Sequence, residues 1–244
     1  MGLILKPNIF KPYGQIAAGM SLRGNDTGDF GFNMSTAIGD DPERVIANRR
    51  RLAERFGFSL ERLAVQHQVH GDRILYVDQT YQPGDSDGLM TDQPGWLLAI
   101  SVADCVPVLI AAPERGVVAG VHSGWRGSAQ NIVGKSLAVL RDRFDLQPED
   151  LRFWVGPSAG ECCYEVGEDV AGAFNPLFSK ELGEGKYLFD NRGAVVHQLM
   201  SAGVAPEHIE VDPRCTICDR RFQSWRRDGK RSGRMFAVIG MVPE

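Results

Sequence analysis

No apolar run in this chain approaches the ~20 residues that a membrane-spanning helix needs, so no such helix is expected. Cysteine is scarce. Five in 244 residues is an odd number, too few for a disulfide scaffold. Reduced thiols and a cytoplasmic setting are the expectation. The first residues carry Lys6 and Lys11 but no apolar stretch of the kind a secretory signal requires. Positive charge is not in excess. The net charge of -4 gives no general attraction to nucleic acid, and no membrane or obligate protein partner is indicated. Histidine is also sparse, at five residues. Internal repeats, linkers and low-complexity segments are missing, so residues 1–244 read as a single domain. What is present is a globular composition, 43% hydrophobic and 24% charged.

The pattern is most informative between Trp96 and Phe144. Leu97–Val102, Val106–Ile110 and Val117–Val121 are apolar runs of strand length. Polar groups interrupt them. Asp104 and Cys105 sit at one strand junction, and His122-Ser123-Gly124-Trp125-Arg126-Gly127 ends the third run. Buried polar groups are costly unless paired or metal-bound, so this placement points to a site on a rigid scaffold. A helix with Val133, Leu137, Leu140 and Phe144 on one face follows, with Ser128 as its expected N-cap. Its free N–H groups would offer an anion seat.

Elsewhere, Asp40-Asp41-Pro42-Glu43 opens a helix through Arg55. Arg49, Arg50 and Arg51 are expected on its solvated side. Leu63 to Val77 reads as a strand that is polar in its middle. Gln66, Gln68 and His70 would share one face, and His67 would pack on the other. Asp85-Ser86-Asp87-Gly88 lacks the closing glutamate of a calcium loop. Val170, Phe174 and Leu177 suggest a helix, as does Val195 to Met200. Asp228-Gly229 reads as a hairpin turn between Phe222–Arg226 and Arg234–Met241. Cys162 and Cys163 are expected to be packed thiols. Cys215-x-x-Cys218 lacks the second pair that a zinc ribbon needs. Arg23, in a turn-rich loop, is a candidate anion binder, as are some arginines of the basic stretch from Arg214 to Arg234.

Two imidazoles and a thiolate at strand ends, His70, Cys105 and His122, suit zinc with a fourth position left open. Such a layout is catalytic, because zinc activates water or polarises a substrate. Asp104 would orient a neighbour, and Gln68 would serve as an outer ligand or substrate group.

Gln68-Val69-His70-Gly71-Asp72, Ala103-Asp104-Cys105-Val106-Pro107-Val108, Gly120-Val121-His122-Ser123-Gly124-Trp125-Arg126-Gly127 and Ser224-Trp225-Arg226-Arg227-Asp228-Gly229 occur in this order. Together they closely resemble the laccase-domain family of YfiH type, also described as polyphenol oxidases and purine nucleoside phosphorylases. The chain departs from the common pattern after Arg23, where a glycine pair is missing, and at Ser123, where alanine is frequent. The resemblance implies an α+β fold, a mixed β-sandwich flanked by helices, rather than a doubly wound sheet. It implies zinc at His70, Cys105 and His122, with copper as another occupant.

It further implies phosphorolysis of adenosine, inosine, guanosine and methylthioadenosine, with adenosine deamination beside it. Purine nucleosides and phosphate are then the partners. Arg23, Arg126 and Ser123 are the candidate phosphate and substrate contacts, and Asp104, Gln68 and Arg126 the candidate catalytic groups. Three rivals exist. A copper polyphenol oxidase would need more histidine than five residues provide. A cysteine hydrolase, with Cys105 as nucleophile and His122 as base, would edit peptidoglycan precursors without metal. A non-catalytic nucleotide-binding module would use the arginine-rich tail.

Overall fold

The computed structural model describes residues 4–24 and 28–243. The tip of the turn-rich loop after Arg23 therefore lies outside the described residues. Two mixed sheets stack face to face. One is ordered β1 (Ile4–Leu5), β2 (Ile16–Ser21), β14 (Met235–Met241), β6 (Leu97–Val102), β3 (Leu63–Ala64). The other is ordered β13 (Ile209–Val211), β9 (Arg152–Val155), β7 (Val106–Ala112), β8 (Val117–Ser123), β5 (Gly88–Thr91), β4 (Ile74–Tyr76). Most neighbours are antiparallel, but β3 on β6, β4 on β5 and β13 on β9 are parallel.

Alternation along each strand explains the layers. Leu98, Ile100 and Val102 of β6 meet Leu109 and Ala111 of β7 between the sheets. Leu97 and Ala99 point the other way, into a cluster with Leu52 and Ala53 of α1 (Pro42–Arg55). Val108, Ile110 and Ala112 point out from β7 toward Val133, Leu137 and Leu140 of α3 (Ile132–Phe144) and Val195 and Leu199 of α5 (Asn191–Ser201). Both faces of the central strands are covered, which is why they read as continuous apolar runs. The order helix, sheet, sheet, helices is the expected β-sandwich flanked by helices. A small sheet of β10 (Glu165–Gly167), β12 (Lys186–Phe189) and β11 (Ser179–Gly183) lies to one side. No helix among the described residues is long and apolar enough to cross a membrane.

Four local expectations fail. The chain from Val65 to Arg73 is a loop, not a strand. The Asp87 carboxylate takes the N–H groups of Val69, His70 and Gly71 that a sheet would have used. His67 is accordingly not packed, and its side chain is 74% exposed. Ser128 does not cap the long helix. It lies in a separate short helix, α2 (Trp125–Ala129), and Asn131 caps α3 by accepting from the Gly134 N–H. The Val170 region holds no continuous helix, only the short α4 (Glu168–Ala171) and a 3-10 turn at Pro176–Phe178 before β11 and β12. Asp228-Gly229 is no hairpin. The Ser224 hydroxyl accepts from the Arg227 N–H and caps α6 (Trp225–Asp228), which consumes the strand proposed there.

The two sheets approach closely at Gly120 of β8. A Cβ there would lie 2.8 Å from Cγ1 of Ile100 on the facing sheet. Ile100 is fully buried, so Gly120→Ala overpacks a core with little room to yield and should cost about 1–3 kcal/mol. Urea unfolding measures this as a lowered midpoint. An unchanged midpoint would contradict the close packing.

Candidate metal and substrate site

Three connections converge at one end of the sandwich. The β6–β7 turn presents Asp104 and Cys105. The end of β8 presents His122, and the 65–73 loop presents His70. The potential ligand atoms of His70, Cys105 and His122 all lie within 4.8 Å of one another, so this cluster could hold a metal ion. The His70 and His122 rings meet edge to face with centroids 4.8 Å apart.

Asp87 organises the cluster. Antiparallel pairing of β5 with β8 sets Gly88 opposite Val121, which puts the preceding residue beside His122. The Asp87 side chain is fully buried. Its Oδ1 lies 2.7 Å from His122 Nδ1 and accepts the His70 N–H at 3.0 Å. Its Oδ2 accepts the Gly71 N–H at 2.7 Å and the Val69 N–H at 3.1 Å. Burial opposes ionisation of Asp87, but these donors outweigh it and hold its carboxyl below the usual range. The carboxylate thereby fixes Nδ1 of His122 and leaves Nε2 for the cavity. Burial also opposes charge on His122. The adjoining Cys105 and Asp87 outweigh that and push its pKa up to about 9. Burial and the neighbouring His122 lower the pKa of His70, which keeps it neutral, the form in which histidine binds metals.

Backbone geometry is tight here. His70 has φ 58° and Asp104 φ 88°, values uncommon for residues other than glycine. At Gly124 a Cβ would stand 2.7 Å from His70 Nδ1 and 3.1 Å from Cys105 Sγ, so any side chain at this position would press on two candidate ligands.

The cluster opens on a cavity of about 800 Å³. Arg49, Arg126, Arg226 and Arg234 line it, with Asp104 as the one carboxylate on its wall among the described residues. Arg126 lies 4.2 Å from the Trp125 ring centroid and has no carboxylate partner among the described residues. Asp104 does not join the metal cluster. Its Oδ1 accepts from the Thr216 hydroxyl at 2.6 Å. Its Oδ2 accepts from the Ser224 hydroxyl at 3.1 Å and the Arg226 N–H at 2.7 Å. Gln68 lines the cavity, with its amide paired both ways to the Ser101 backbone at 2.8 and 2.7 Å.

Two expected contacts are not on the cavity wall. Arg23 is ion-paired to Asp228 at 3.1 Å. Ser123 is fully buried, with its hydroxyl 2.7 Å from that of Ser128. Of the basic tail, Arg226 and Arg234 reach the cavity. Arg227 instead donates to the carbonyls of Thr216, Ile217 and Phe222, and Arg221 pairs with Asp219.

Sequence reasoning missed Asp87 and Arg49. The signal for Asp87 was an acidic turn directly before an apolar strand. Arg49 was assigned to solvent, yet it is half-buried, donates to the Met34 carbonyl at 2.8 Å and stacks on Phe236.

A family model described as multi-copper polyphenol oxidoreductase laccase matches residues 19–242. The purine nucleoside phosphorylase YlmD of Geobacillus stearothermophilus is 39% identical over 96% of this chain and 93% of its own. A purine nucleoside phosphorylase of Deinococcus radiodurans is 40% identical over 83% of this chain and 79% of its own. The crystal structure of the Geobacillus YlmD covers all of both chains with a TM-score of 0.90 at 36% identity. A hypothetical protein YfiH of Bacillus licheniformis superposes over 94% of both chains with a TM-score of 0.89 at 31% identity.

The Asp87 network makes a prediction. Asp87→Asn replaces an acceptor oxygen with an NH2 group that faces donors. Metal affinity should fall about 10–100-fold, as read by competition with a chromophoric chelator. An unchanged affinity would remove Asp87 from the account.

Proposed function

The chain belongs to the multi-copper polyphenol oxidoreductase laccase family, and from that premise we propose that it is a zinc-dependent purine nucleoside phosphorylase that also deaminates adenosine. The observation that carries the reading is the convergence of His70, Cys105 and His122 on the wall of an arginine-lined cavity. The donor set fits zinc. It offers one thiol, one histidine oriented by a carboxylate and one histidine held neutral, and no fourth protein ligand among the described residues. When bound there, zinc supplies Lewis-acid polarisation and lowers the pKa of water toward ~7.

The chain's own residues supply the rest. Arg126, with Arg226 and Arg234 on the wall of the same cavity, binds phosphate by charge-assisted hydrogen bonds. The expected phosphate contacts of Arg23 and Ser123 are not retained in this reading, because neither residue lines the cavity. Trp125, Tyr164 and Trp225 on the wall offer ring faces to the purine. In phosphorolysis a phosphate oxygen bonds to the anomeric carbon while the bond to the purine nitrogen breaks. The electron pair leaves with the purine, which takes up a proton. Asp104, fixed by three donors and the one carboxylate on the cavity wall among the described residues, takes the role of managing that proton in this reading. Gln68 is a positioning residue. An amide does not titrate, and its two bonds to Ser101 tie the His70 loop to β6. In deamination water adds at the amine-bearing purine carbon and ammonia leaves.

The copper-oxidase reading finds less support. A multicopper enzyme needs a histidine-rich trinuclear cluster. The three remaining histidines are dispersed. His67 is exposed beside Asp85, His197 packs near Phe178 and His208 adjoins Arg152. A cysteine hydrolase is favoured by the contact of Cys105 with His122, and metal dependence separates it from the phosphorylase.

The test is base release from inosine with and without phosphate, on protein of measured metal content. His122→Ala should abolish metal retention and base release while the circular dichroism spectrum is unchanged. Arg126→Ala should raise the KM for phosphate about 10–100-fold, the equivalent of one charge-assisted hydrogen bond. Full phosphate-dependent base release in a metal-free His122→Ala variant would overturn the reading.

A further inference from the structure

Four of the five cysteines gather away from the cavity centre. The potential ligand atoms of Cys162, Cys163, Cys215 and Cys218 all lie within 4.8 Å of one another. The Cys163 and Cys218 sulfurs are 2.9 Å apart, those of Cys162 and Cys163 3.4 Å, and those of Cys162 and Cys218 3.5 Å. The sequence offered Cys215-x-x-Cys218 without a second pair. The fold provides that pair from a loop more than fifty residues upstream in the chain.

We propose that these four thiolates form a second metal centre, a closed tetrathiolate zinc site that staples the 160–164 loop to the 215–218 turn. A tetrahedral zinc with Zn–S bonds of ~2.3 Å sets its sulfurs about 3.8 Å apart; the three separations above are shorter than that, and all four sulfurs lie within 4.8 Å of one another. Disulfides account for the arrangement less well. Adjacent cysteines such as Cys162 and Cys163 are poorly placed to bond each other, and any single pairing leaves two thiols converging without purpose. All five cysteines are unbonded. The loops are built around the sulfurs. The Gly160 N–H donates to Cys215 Sγ at 3.2 Å. A Cβ at Gly160 would lie 3.1 Å from Cys215 Cβ and 3.4 Å from Cys162 Sγ. The Asp219 N–H closes the Cys-x-x-Cys turn on the Cys215 carbonyl at 3.0 Å. Four ligands leave no open position, so the centre is structural rather than catalytic.

Its consequence reaches the cavity. Thr216, between two of the ligands, donates its hydroxyl to Asp104 at 2.6 Å, and its N–H bonds the Ser158 carbonyl at 2.9 Å. Tyr164, directly after Cys163, lines the cavity. The zinc would thus hold one support of Asp104 and one aromatic wall in place.

The inference stands independently of the phosphorylase reading, and the test keeps the two apart. Protein purified under reducing conditions should carry about two zinc ions per chain by inductively coupled plasma mass spectrometry. His122→Ala should lose one of them, and Cys215→Ser with Cys218→Ser should lose the other. Dialysis of the wild-type protein against EDTA should remove the zinc of the open three-ligand centre first. The remaining zinc, about one per chain, should leave only on titration with an organomercurial. Zinc content unchanged by the double serine substitution would overturn the proposal. So would zinc that EDTA removes in full at one rate. Thiol titration of the untreated protein in denaturant with chelator should find all five thiols; finding three would mark a disulfide in the cluster and overturn the proposal.

Discussion

One buried carboxylate holds the candidate site together. Asp87 accepts from three successive backbone N–H groups and pairs with the His122 ring. A buried charge with a single partner would be a liability, because desolvation takes back much of what one pair returns. Four partners change that balance. The carboxylate also decides local shape, since it replaces the sheet partners of residues 69–71 and bends His70 into the left-handed region. Without it the His70 loop would have three unmet donors and no reason to face His122.

The sandwich supplies the rigidity that this arrangement needs. β7 and β8 are buried along their full lengths and paired over seven residues. Their ends cannot drift apart, so Cys105 and His122 keep a fixed separation. The cost is local. His70 and Asp104 occupy uncommon backbone angles, and Gly124 must remain without a side chain. Such strain persists only where the surroundings over-determine it. Here they do so through the Asp87 hub on one side and the Thr216, Ser224 and Arg226 donors to Asp104 on the other.

Much of this was legible in the sequence, and what was not has common causes. Strands buried on both faces announce themselves as apolar runs, so β6, β7 and β8 were readable. A polar residue at the end of such a run has few reasons to be there, which exposed Cys105 and His122. Asp41 and Pro42 marked the start of α1. The failures came where a side chain substituted for backbone pairing. Asp87 turned a strand-like stretch into a loop and left His67 in solvent. Ser224 turned a hairpin into a helix. Arg49 looked like one of three surface arginines, because its burial depends on β14 folding beneath it. The thiol cluster joins loops that no local pattern connects.

The chemistry proposed for the cavity rests on phosphate, not water, taking the sugar. The direct measurement is the identity of the sugar product by phosphorus NMR, with inosine, phosphate and the metal-loaded protein. The account predicts a ribose 1-phosphate signal that grows in step with released hypoxanthine while inorganic phosphate declines. Free ribose with inorganic phosphate unchanged would contradict it.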